Sequence, residues 1–360
     1  MEYQRLGDYI REVNVRNSEL KVTNLLGLSI EKKFIPSIAN TIGTDMSVYK
    51  IVRPMQFAYV PVTSRNGDKI TIALYKGDEP AIISQAYTIF DVNDKEALLP
   101  EYLMMWFRRP EFDRYARFHS HGSAREVFDW DELCNVMLPI PSITRQREIV
   151  EEYETLSRRI RLNEQMIAKL EETAQVIYFK ECSHFKSEES KLVDRRKYTL
   201  KEFAPVITGK KDANIATKDG RYKFFTCSKE DYRTDCYSFD TEALLLAGNG
   251  DFNVKYFKGK FEAYQRTYVL VPYDNRLVGL LYNAIQYNMS EMIKGARGSV
   301  ISFLTKDMVE NVSFYGPQNI YDIEDIIDGL YNVIKLISNI KEDNSKLTEL
   351  QSLLLARMGK

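Results

Sequence analysis

Two histidines, His119 and His121, are separated by one residue, and such a pair can supply two ligands to a metal ion. No cluster of cysteine, histidine or aspartate ligands accompanies the pair in the sequence. Histidine pairs of this kind are more often surface residues or face a nucleic acid. The sequence therefore predicts no metal ligand in the chain. A stand-alone metal-dependent enzyme that uses His119 and His121 stays an open alternative.

Motifs for group-transfer chemistry are missing from the sequence. There is no Asn/Asp-Pro-Pro-Tyr/Phe loop, which amino-methyltransferases place against a flipped base. No Gly-x-x-x-x-Gly-Lys-Ser/Thr phosphate loop occurs, and no Gly-x-Gly-x-x-Gly follows a strand. We therefore expect a chain that binds its ligand, has no catalytic residue and carries no cofactor of its own.

Arginine, histidine and aromatic residues are interleaved between Arg108 and Arg125. Arginine binds phosphates or guanine edges through paired hydrogen bonds, which favours DNA contact by the part from His119 onwards. Arg114 and Arg117 instead resemble a solvated helix face that pairs with acidic neighbours. Arg65, Asn66 and Lys69 lie on a predicted hairpin turn. This turn could enter a groove of DNA, and a plain turn without DNA contact is the equal alternative. The candidate DNA-binding residues of this half are Arg65, Asn66, Lys69, His119, His121, Ser123 and Arg125.

A glycine-rich stretch, Gly248 to Asp251, stands among basic and polar residues in the second half. Glycine lets a backbone approach DNA closely, and asparagine can bond to N6 and N7 of adenine. The alternative is a hairpin turn that touches nothing. The candidate DNA-binding residues of this half are Lys210, Lys211, Lys218, Asn249, Asn253, Lys255, Gln265, Arg266, Arg297 and Ser299.

Composition is that of a folded protein, because 44% of the 360 residues are hydrophobic and 12% are aromatic. The net charge is −1, but residues 191–316 hold 20 Lys and Arg against 15 Asp and Glu. A phosphate-binding surface must therefore be local. Four dispersed cysteines indicate reduced structural thiols. The sequence shows no membrane span or signal peptide, so we expect a cytoplasmic chain without membrane association.

A loose repeat with an offset of about 175 residues organises the chain. Gly122-Ser123, Phe128 and Leu133 in the first half correspond to Gly298-Ser299, Phe303 and Met308 in the second. A proline and a long helical pattern follow in each half. A repeat of this length indicates a duplicated domain.

Apolar residues alternate at steps of three and four after Pro141 and again after Pro317. This pattern predicts two helices of about 38 residues whose seams pair in a coiled coil. Each seam carries one asparagine, a residue that fixes register. Two ordinary amphipathic helices are the alternative. The seam residues are Leu156, Ile160, Asn163, Ile167 and Leu170 in the first helix and Val333, Ile337, Ile340, Asn344 and Leu347 in the second.

The rest of each half mixes strand and helix patterns. Strands are predicted at 70–75, 86–90 and 267–271, with helices at 100–109 and 277–289. The fold class is therefore α+β, with two globular domains and two long helices. The predicted boundaries are 1–141 and 191–316 for the domains, 142–190 for the first helix and linker, and 317–360 for the second helix.

This organisation resembles the specificity subunit of type I restriction–modification systems along nearly the whole chain. Local patterns that carry the resemblance include Ser84 to Phe90, Leu99 to Leu103 and the Gly122-Ser123 turn. The most specific is Leu138-Pro139-Ile140-Pro141 followed by Gln146-Arg147-Glu148-Ile149-Val150. The second half departs from this pattern, because Gly316 to Asp322 contains no equivalent of Gln146.

The resemblance implies two target recognition domains, each of which binds one half of a split site in double-stranded DNA. It implies that the two helices pack antiparallel and hold the domains apart. Two modification subunits would dock on this scaffold and restriction subunits would join them. S-adenosylmethionine, ATP and magnesium would be used by those partners. The main rival is a coiled-coil assembly protein that joins other proteins without contacting DNA.

Overall fold

The computed structural model describes residues 2–37, 43–64, 67, 69–122, 125–182, 195–298 and 302–359. The chain divides into two compact units. Unit 1 comprises Met1–Ile160 and Ser345–Lys360, and unit 2 comprises Arg161–Asn344. The predicted domain boundaries cannot be compared directly with these units, because the prediction separates the long helices from the domains and the units include them. The predicted boundaries stay predictions. In the described ranges, no helix combines the length and apolar character needed to cross a membrane.

Unit 1 contains short strands and three short helices before the first long helix. Its strands are β1 (Tyr3–Arg5), β2 (Ile10–Val13), β3 (Leu26–Leu28), β4 (Phe34–Pro36), β5 (Lys50–Val52), β6 (Phe57–Tyr59), β7 (Ile72–Leu74), β8 (Ala81–Ile83), β9 (Thr88–Val92) and β10 (Met137–Pro139). Its helices are α1 (Pro100–Phe107), α2 (Pro110–Phe118), α3 (Trp130–Cys134) and the first part of α4 (Ile143–Cys182).

Unit 2 contains a larger sheet and the second long helix. Its strands are β11 (Arg195–Thr199), β12 (Val206–Thr208), β13 (Tyr222–Phe225), β14 (Tyr232–Thr234), β15 (Phe239–Ala247), β16 (Val254–Ala263), β17 (Thr267–Leu270) and β18 (Ser313–Pro317). Its helices are the rest of α4, α5 (Val278–Lys294), α6 (Lys306–Glu310) and most of α7 (Glu324–Arg357), whose last part belongs to unit 1. The predicted α+β fold class is confirmed.

The core of unit 1 lies between α1 and a four-stranded sheet in the order β2-β9-β6-β7. Pro100 occupies the first turn of α1, where its missing N–H removes no helical hydrogen bond. Every residue of α1 except Glu101 is buried. Phe57 and Phe90 stack at 4.8 Å, and Phe107 of α1 meets Phe57 edge-on at 5.7 Å. The apolar run in the sequence therefore becomes the helix at the centre of the unit.

Unit 2 is built on a six-stranded sheet in the order β12-β17-β15-β16-β13-β14. Helix α5 covers this sheet and is buried along its first half. Gly279 lets α5 approach α7, because a Cβ there would lie 2.3 Å from the Leu330 carbonyl carbon. Tyr178 of α4 and Leu330 of α7 complete the same core. The long helices are thus structural parts of the unit.

The repeat recurs in both units. Leu6 N donates to Val136 O at 2.8 Å in unit 1, and Leu200 N donates to Val312 O at 3.0 Å in unit 2. The acceptors are 176 residues apart in the sequence and the donors 194. Asp129 caps α3 and Thr305 caps α6, each accepting from the amide three residues later. The duplication inferred from the sequence is therefore real.

The two long helices are antiparallel in unit 2, and they contact each other in unit 1 as well. In unit 2, Asn163 bonds to Asn344 and Glu171 pairs with Lys341. In unit 1, Gln351 Nε2 donates to Ser157 Oγ at 2.7 Å. Residue numbers therefore rise along one helix as they fall along the other. The seam residues named above are buried or half-buried, which agrees with the predicted coiled coil.

Three local predictions need correction. The second long helix does not begin directly after Pro317: that proline ends β18, and a 3-10 turn, Ile320–Ile323, precedes α7 because Asn319 caps it. The spacing of three and four that begins after Pro141 extends to Ile177 in the sequence, which predicts that this residue is buried. Ile177 is exposed and Tyr178 is buried instead, because the core of unit 2 follows Ala174, Tyr178 and Cys182. The strand predicted at 70–75 shortens to β7.

Candidate nucleic-acid interface

Three separate segments of unit 2 meet at Phe303. Its backbone bridges antiparallel to Asn249 on one side and to Arg297 on the other. Arg297 N donates to Phe303 O at 3.0 Å, and Phe303 N donates to Arg297 O at 2.8 Å. The loop after β15 and the loop after α5 are therefore joined, although Asn249 and Arg297 are 48 positions apart in the sequence.

The loops after β12 and β16 extend this group. Gln265 N donates to Lys211 O at 2.9 Å, and Gly248 N donates to Arg266 O at 2.8 Å. A Cβ at Gly248 would lie 2.5 Å from Arg266 O, so only glycine allows this approach. We call Lys210, Lys211, Asn249, Gln265, Arg266 and Arg297 the loop surface of unit 2. The first two and the last three of these side chains are exposed, and Asn249 is half-buried.

Three of the predicted residues of unit 2 have other surroundings. Lys255 Nζ lies 3.0 Å from Asp231 Oδ1 and donates to Glu230 O at 3.1 Å. Burial alone would raise the pKa of Asp231, but Lys223 and Lys255 hold it below its usual value. Asn253 Nδ2 donates to Cys227 O at 3.5 Å, and Lys218 lies beside β14, since Thr217 bridges to Arg233. A DNA contact by Lys255 would have to replace the ion pair it already makes.

Unit 1 repeats the three-segment junction. Val127 bridges to Val62 and to His121. Val127 precedes Phe303 by 176 residues, and His121 precedes Arg297 by the same number. Phe128 N donates to Pro61 O at 2.9 Å, as Leu304 N donates to Gly248 O at 2.8 Å in unit 2. The loop after β6 and the loop after α2 are thereby joined. Each unit thus presents one junction of the same construction.

The two histidines of unit 1 share a carboxylate. His119 Nδ1 lies 3.0 Å from Glu132 Oε2, and His121 Nε2 lies 3.7 Å from Glu132 Oε1. The His119 ring also stacks on Tyr115 at 4.2 Å. Within the described ranges, no three His, Cys, Asp or Glu side chains form a group that could hold a metal ion. The pair is therefore anchored to α3 by Glu132, while His121 stays mostly exposed.

The other cationic side chains considered in unit 1 differ in whether they form an ion pair with a carboxylate. Arg114 pairs with Glu111 at 3.4 Å, and Arg117 pairs with Glu126, as the sequence predicted for a solvated helix face. Lys69 Nζ lies 3.0 Å from Glu31 Oε1. Arg125 is exposed, four residues beyond His121. Among the described residues Arg125 pairs with no carboxylate, so it is the member of this group left to bind an anion.

Four predicted residues, Arg65, Asn66, Ser123 and Ser299, lie outside the described residues. The strands that flank Arg65 and Asn66 in the sequence, β6 and β7, pair antiparallel, and the chain between these strands is called the β6–β7 loop. Gly67, within this loop, has φ +61°, a conformation that glycine tolerates best.

A buried ion pair between Lys32 and Asp113 positions the end of the β6–β7 loop. Lys32 Nζ lies 2.7 Å from Asp113 Oδ1 on α2 and also donates to Phe107 O. Asp113 Oδ1 in turn accepts from Ile70 N at 3.1 Å. Burial lowers the pKa of Lys32 below its ordinary value, against the opposing effect of Asp113. The β3–β4 loop, α2 and the end of the β6–β7 loop are thereby tied together.

Phe303 and Val127 were not identified as interface residues from the sequence. The loose repeat in the sequence matches Phe128 with Phe303 and Leu133 with Met308, at an offset of 175. In the structure Phe128 corresponds to Leu304 and Leu133 to Val309, and all four are buried. The signal that could have revealed this is the 176-residue spacing of the glycines, Gly122 and Gly298. With an offset of 176 in place of 175, Phe303 corresponds to Val127 and no longer to the buried Phe128.

Gln146 explains the most specific local pattern in the sequence. Its side chain is fully buried, accepts from Leu99 N at 2.8 Å and donates to Ala97 O and Pro141 O at 2.9 Å each. It therefore ties the start of α4 to the start of α1. Unit 2 uses charges at the corresponding place: Arg276 pairs with Asp274 and Glu324, and Tyr321 donates to Asp274. This replacement accounts for the missing second glutamine.

The chain is similar to known proteins, over part of its length in sequence. Residues 193–349 match the family described as Type I restriction modification DNA specificity domain. The chain is 41% identical over 121 residues to the type I restriction enzyme EcoDI specificity subunit of Escherichia coli. That match covers 34% of this chain and 27% of the relative, so it spans about a quarter of the relative's length.

The fold is similar to a solved structure along the whole chain. The crystal structure of a type I restriction–modification system S subunit from M. genitalium superposes with a TM-score of 0.62 at 14% identity. The superposition covers 100% of this chain and 96% of that one. The resemblance found in the sequence is thus confirmed, and the chain carries a type I restriction–modification DNA specificity domain over residues 193–349.

Proposed function

We propose that this chain is the DNA-reading specificity subunit of a type I restriction–modification complex. Each unit binds one part of a bipartite target in double-stranded DNA through its three-segment junction and the loops beside it. The observation that carries this proposal is the loop surface of unit 2. It gathers Lys211, Asn249, Arg266 and Arg297 on one side of a domain in the specificity family.

The chemistry of these side chains fits a nucleic acid. Lysine and arginine supply phosphate contacts, and asparagine and arginine can form paired hydrogen bonds with adenine and guanine in the major groove. The surface lies in residues 191–316, which have 20 Lys and Arg against 15 Asp and Glu. A chain with net charge −1 can therefore still bind DNA locally.

The chemistry of the complex belongs to partners in this proposal. Two modification subunits dock on the paired helices, and restriction subunits join them. These partners use S-adenosylmethionine, ATP and magnesium, in keeping with the missing methyl-transfer and phosphate-loop motifs of this chain. The purified chain alone, incubated with S-adenosylmethionine and DNA, should then transfer no methyl groups, and measurable transfer would contradict this assignment.

Sequencing of methylated bases in a host that carries the chain with a modification subunit tests the proposal. Exchange of residues 198–312 for those of a relative should change one half of the methylated motif and leave the other half unaltered. A change in both halves would show that the units do not read DNA independently.

A fluorescence anisotropy titration separates this proposal from a scaffold that never contacts DNA. The chain assembled with modification subunits should bind its methylated-motif duplex more tightly than a scrambled duplex of equal length. Equal binding of both duplexes, with the assembly intact, would favour the scaffold.

A further inference from the structure

Phe303 lies at the centre of a row of three side chains on unit 2. Residues directly opposite each other in antiparallel pairs place their side chains on the same face, with Cβ atoms about 4.5–5.5 Å apart. Phe303 is opposite Asn249 on one side and opposite Arg297 on the other. Asn249, Phe303 and Arg297 therefore form one row, about 10 Å long, with the aromatic ring in the middle.

The row is held rigidly from below. Leu304, the next residue, points the other way and is buried in the core of unit 2. Its N–H donates to Gly248 O, and its carbonyl accepts from Tyr268 OH at 2.8 Å. Alternation along a strand then directs Phe303 outward, where 39% of its surface is exposed. A large apolar side chain is thus presented between two side chains that can bond to bases.

We propose that Phe303 is the apolar reader of this row and contacts the C5-methyl group of a thymine in the major groove. The inference rests on the proposed function. A row about 10 Å long, measured between its outer Cβ atoms, spans about three base steps of about 3.4 Å each. Asn249 bonds to an adenine edge and Arg297 to a guanine edge on either side of the thymine, through the groups that each base exposes there.

The exposed fraction of the Phe303 ring distinguishes two kinds of DNA contact. The ring can contact a thymine methyl group with its edge, or it can be inserted between two bases as a wedge. A wedge that enters the base stack must protrude from the protein. Three-fifths of Phe303 is covered by unit 2, and its backbone is fixed by both bridges. Phe118 of unit 1, which is 81% exposed, shows what a protruding ring looks like in this chain. Phe303 can offer an edge to a base but cannot be inserted between two.

The corresponding row of unit 1 contains Val62, Val127 and His121. The central residue is again apolar, but it is smaller and its neighbours offer only one polar group. The two rows therefore differ in the bases they suit, as expected for units that read different half-sites. Valine is therefore a suitable substitute for Phe303, because Val127 occupies the equivalent position in the junction of unit 1.

The test compares thymine with deoxyuridine, which pairs identically but lacks the methyl group. The full chain, assembled with modification subunits, is titrated with duplexes of its methylated motif in which each thymine is replaced in turn. One replacement in the unit 2 half-site should weaken binding about fourfold, the loss for one buried methyl group. For the Phe303→Ala chain, the same replacement should change binding by less than about 1.5-fold.

Matched variants keep the result interpretable. Phe303→Val borrows the residue of unit 1 and preserves strand propensity, so it should fold and alter preference only at that thymine. Val127→Phe should leave the unit 2 half-site unchanged. If no thymine is sensitive, or if Phe303→Ala stays as sensitive as the wild type, the inference is wrong while the proposed function stands. If the wild-type assembly does not distinguish its motif from scrambled DNA, the proposed function itself fails.

Discussion

Asn163 and Asn344 are hydrogen-bonded to each other across the two long helices. Asn163 Nδ2 donates to Asn344 Oδ1 at 2.7 Å, and Asn163 is only 3% exposed. A buried amide in an apolar seam is stabilised only where it meets a polar partner, because an apolar neighbour would leave it without a hydrogen bond. The pair therefore penalises other alignments of the helices in unit 2 and fixes their register.

Leucine substitutions test this pairing. Asn163→Leu removes the partner that Asn344 has on α4, and should lower the free energy of unfolding by about 1–3 kcal/mol. Asn163→Leu/Asn344→Leu should recover most of this loss, since replacing both partners by apolar groups can be nearly neutral. Urea denaturation of the wild type, the two single variants and the double variant measures the coupling. Additive losses would show that the two amides act separately.

Gln146 should be essential for the stability of unit 1. Gln146→Met keeps the side-chain volume but leaves Leu99 N–H and two carbonyls without their partner, at about 2–3 kcal/mol. Arg147→Met, the adjacent substitution, removes only an exposed ion pair with Glu96 and should cost less than about 0.5 kcal/mol. Equal urea midpoints for the two variants would contradict the role assigned to Gln146.

Removal of Lys32 should loosen the loops that it ties together. Lys32→Met leaves Asp113 with its charge largely buried, which should cost about 3–5 kcal/mol. Lys33→Met alters an exposed neighbour and serves as the control. Hydrogen exchange at Ile70 should speed up in Lys32→Met alone, since Asp113 accepts from that amide. Unchanged exchange at Ile70 would show that the ion pair does not position the β6–β7 loop.

The same lysine makes stability depend on alkaline pH. Because burial lowers its pKa, the folded chain binds fewer protons at Lys32 than the unfolded chain between the lowered value and 10.5. The Lys32 contribution to the free energy of unfolding should therefore rise with pH through that window. The difference between wild type and Lys32→Met, measured at neutral pH and near pH 10, reports it. A difference that falls with pH would contradict this assignment.

Asn249 and Arg266 should fail in different ways. Asn249→Ala should cost about 1–3 kcal/mol in DNA binding and relax discrimination at one base pair. Arg266→Ala should weaken binding to all sequences and reduce the slope of log affinity against log salt by about one. Titrations of specific and scrambled duplexes at several salt concentrations separate the two effects. Wild-type affinity and specificity for Asn249→Ala would leave its loop as a plain turn.

The sequence by itself determined the features that depend on local periodicity. The seams through Asn163 and Asn344 revealed two long helices, because apolar spacing of three and four residues is a property of each helix alone. Pro100 likewise indicated the start of α1. The duplication was visible because two copies of one domain repeat the same local patterns at a constant distance.

Only the tertiary structure decided which loops meet and which side chains face outward. Asn249, Arg297 and Phe303 are brought together by bridges between distant segments, and such pairing leaves no regular spacing in the sequence. A shift of one residue in register reverses the face of every side chain, so matching Phe303 with Phe128 hid its exposure. Lys255 was equally ambiguous, because its partner Asp231 becomes a neighbour only when the sheet of unit 2 forms.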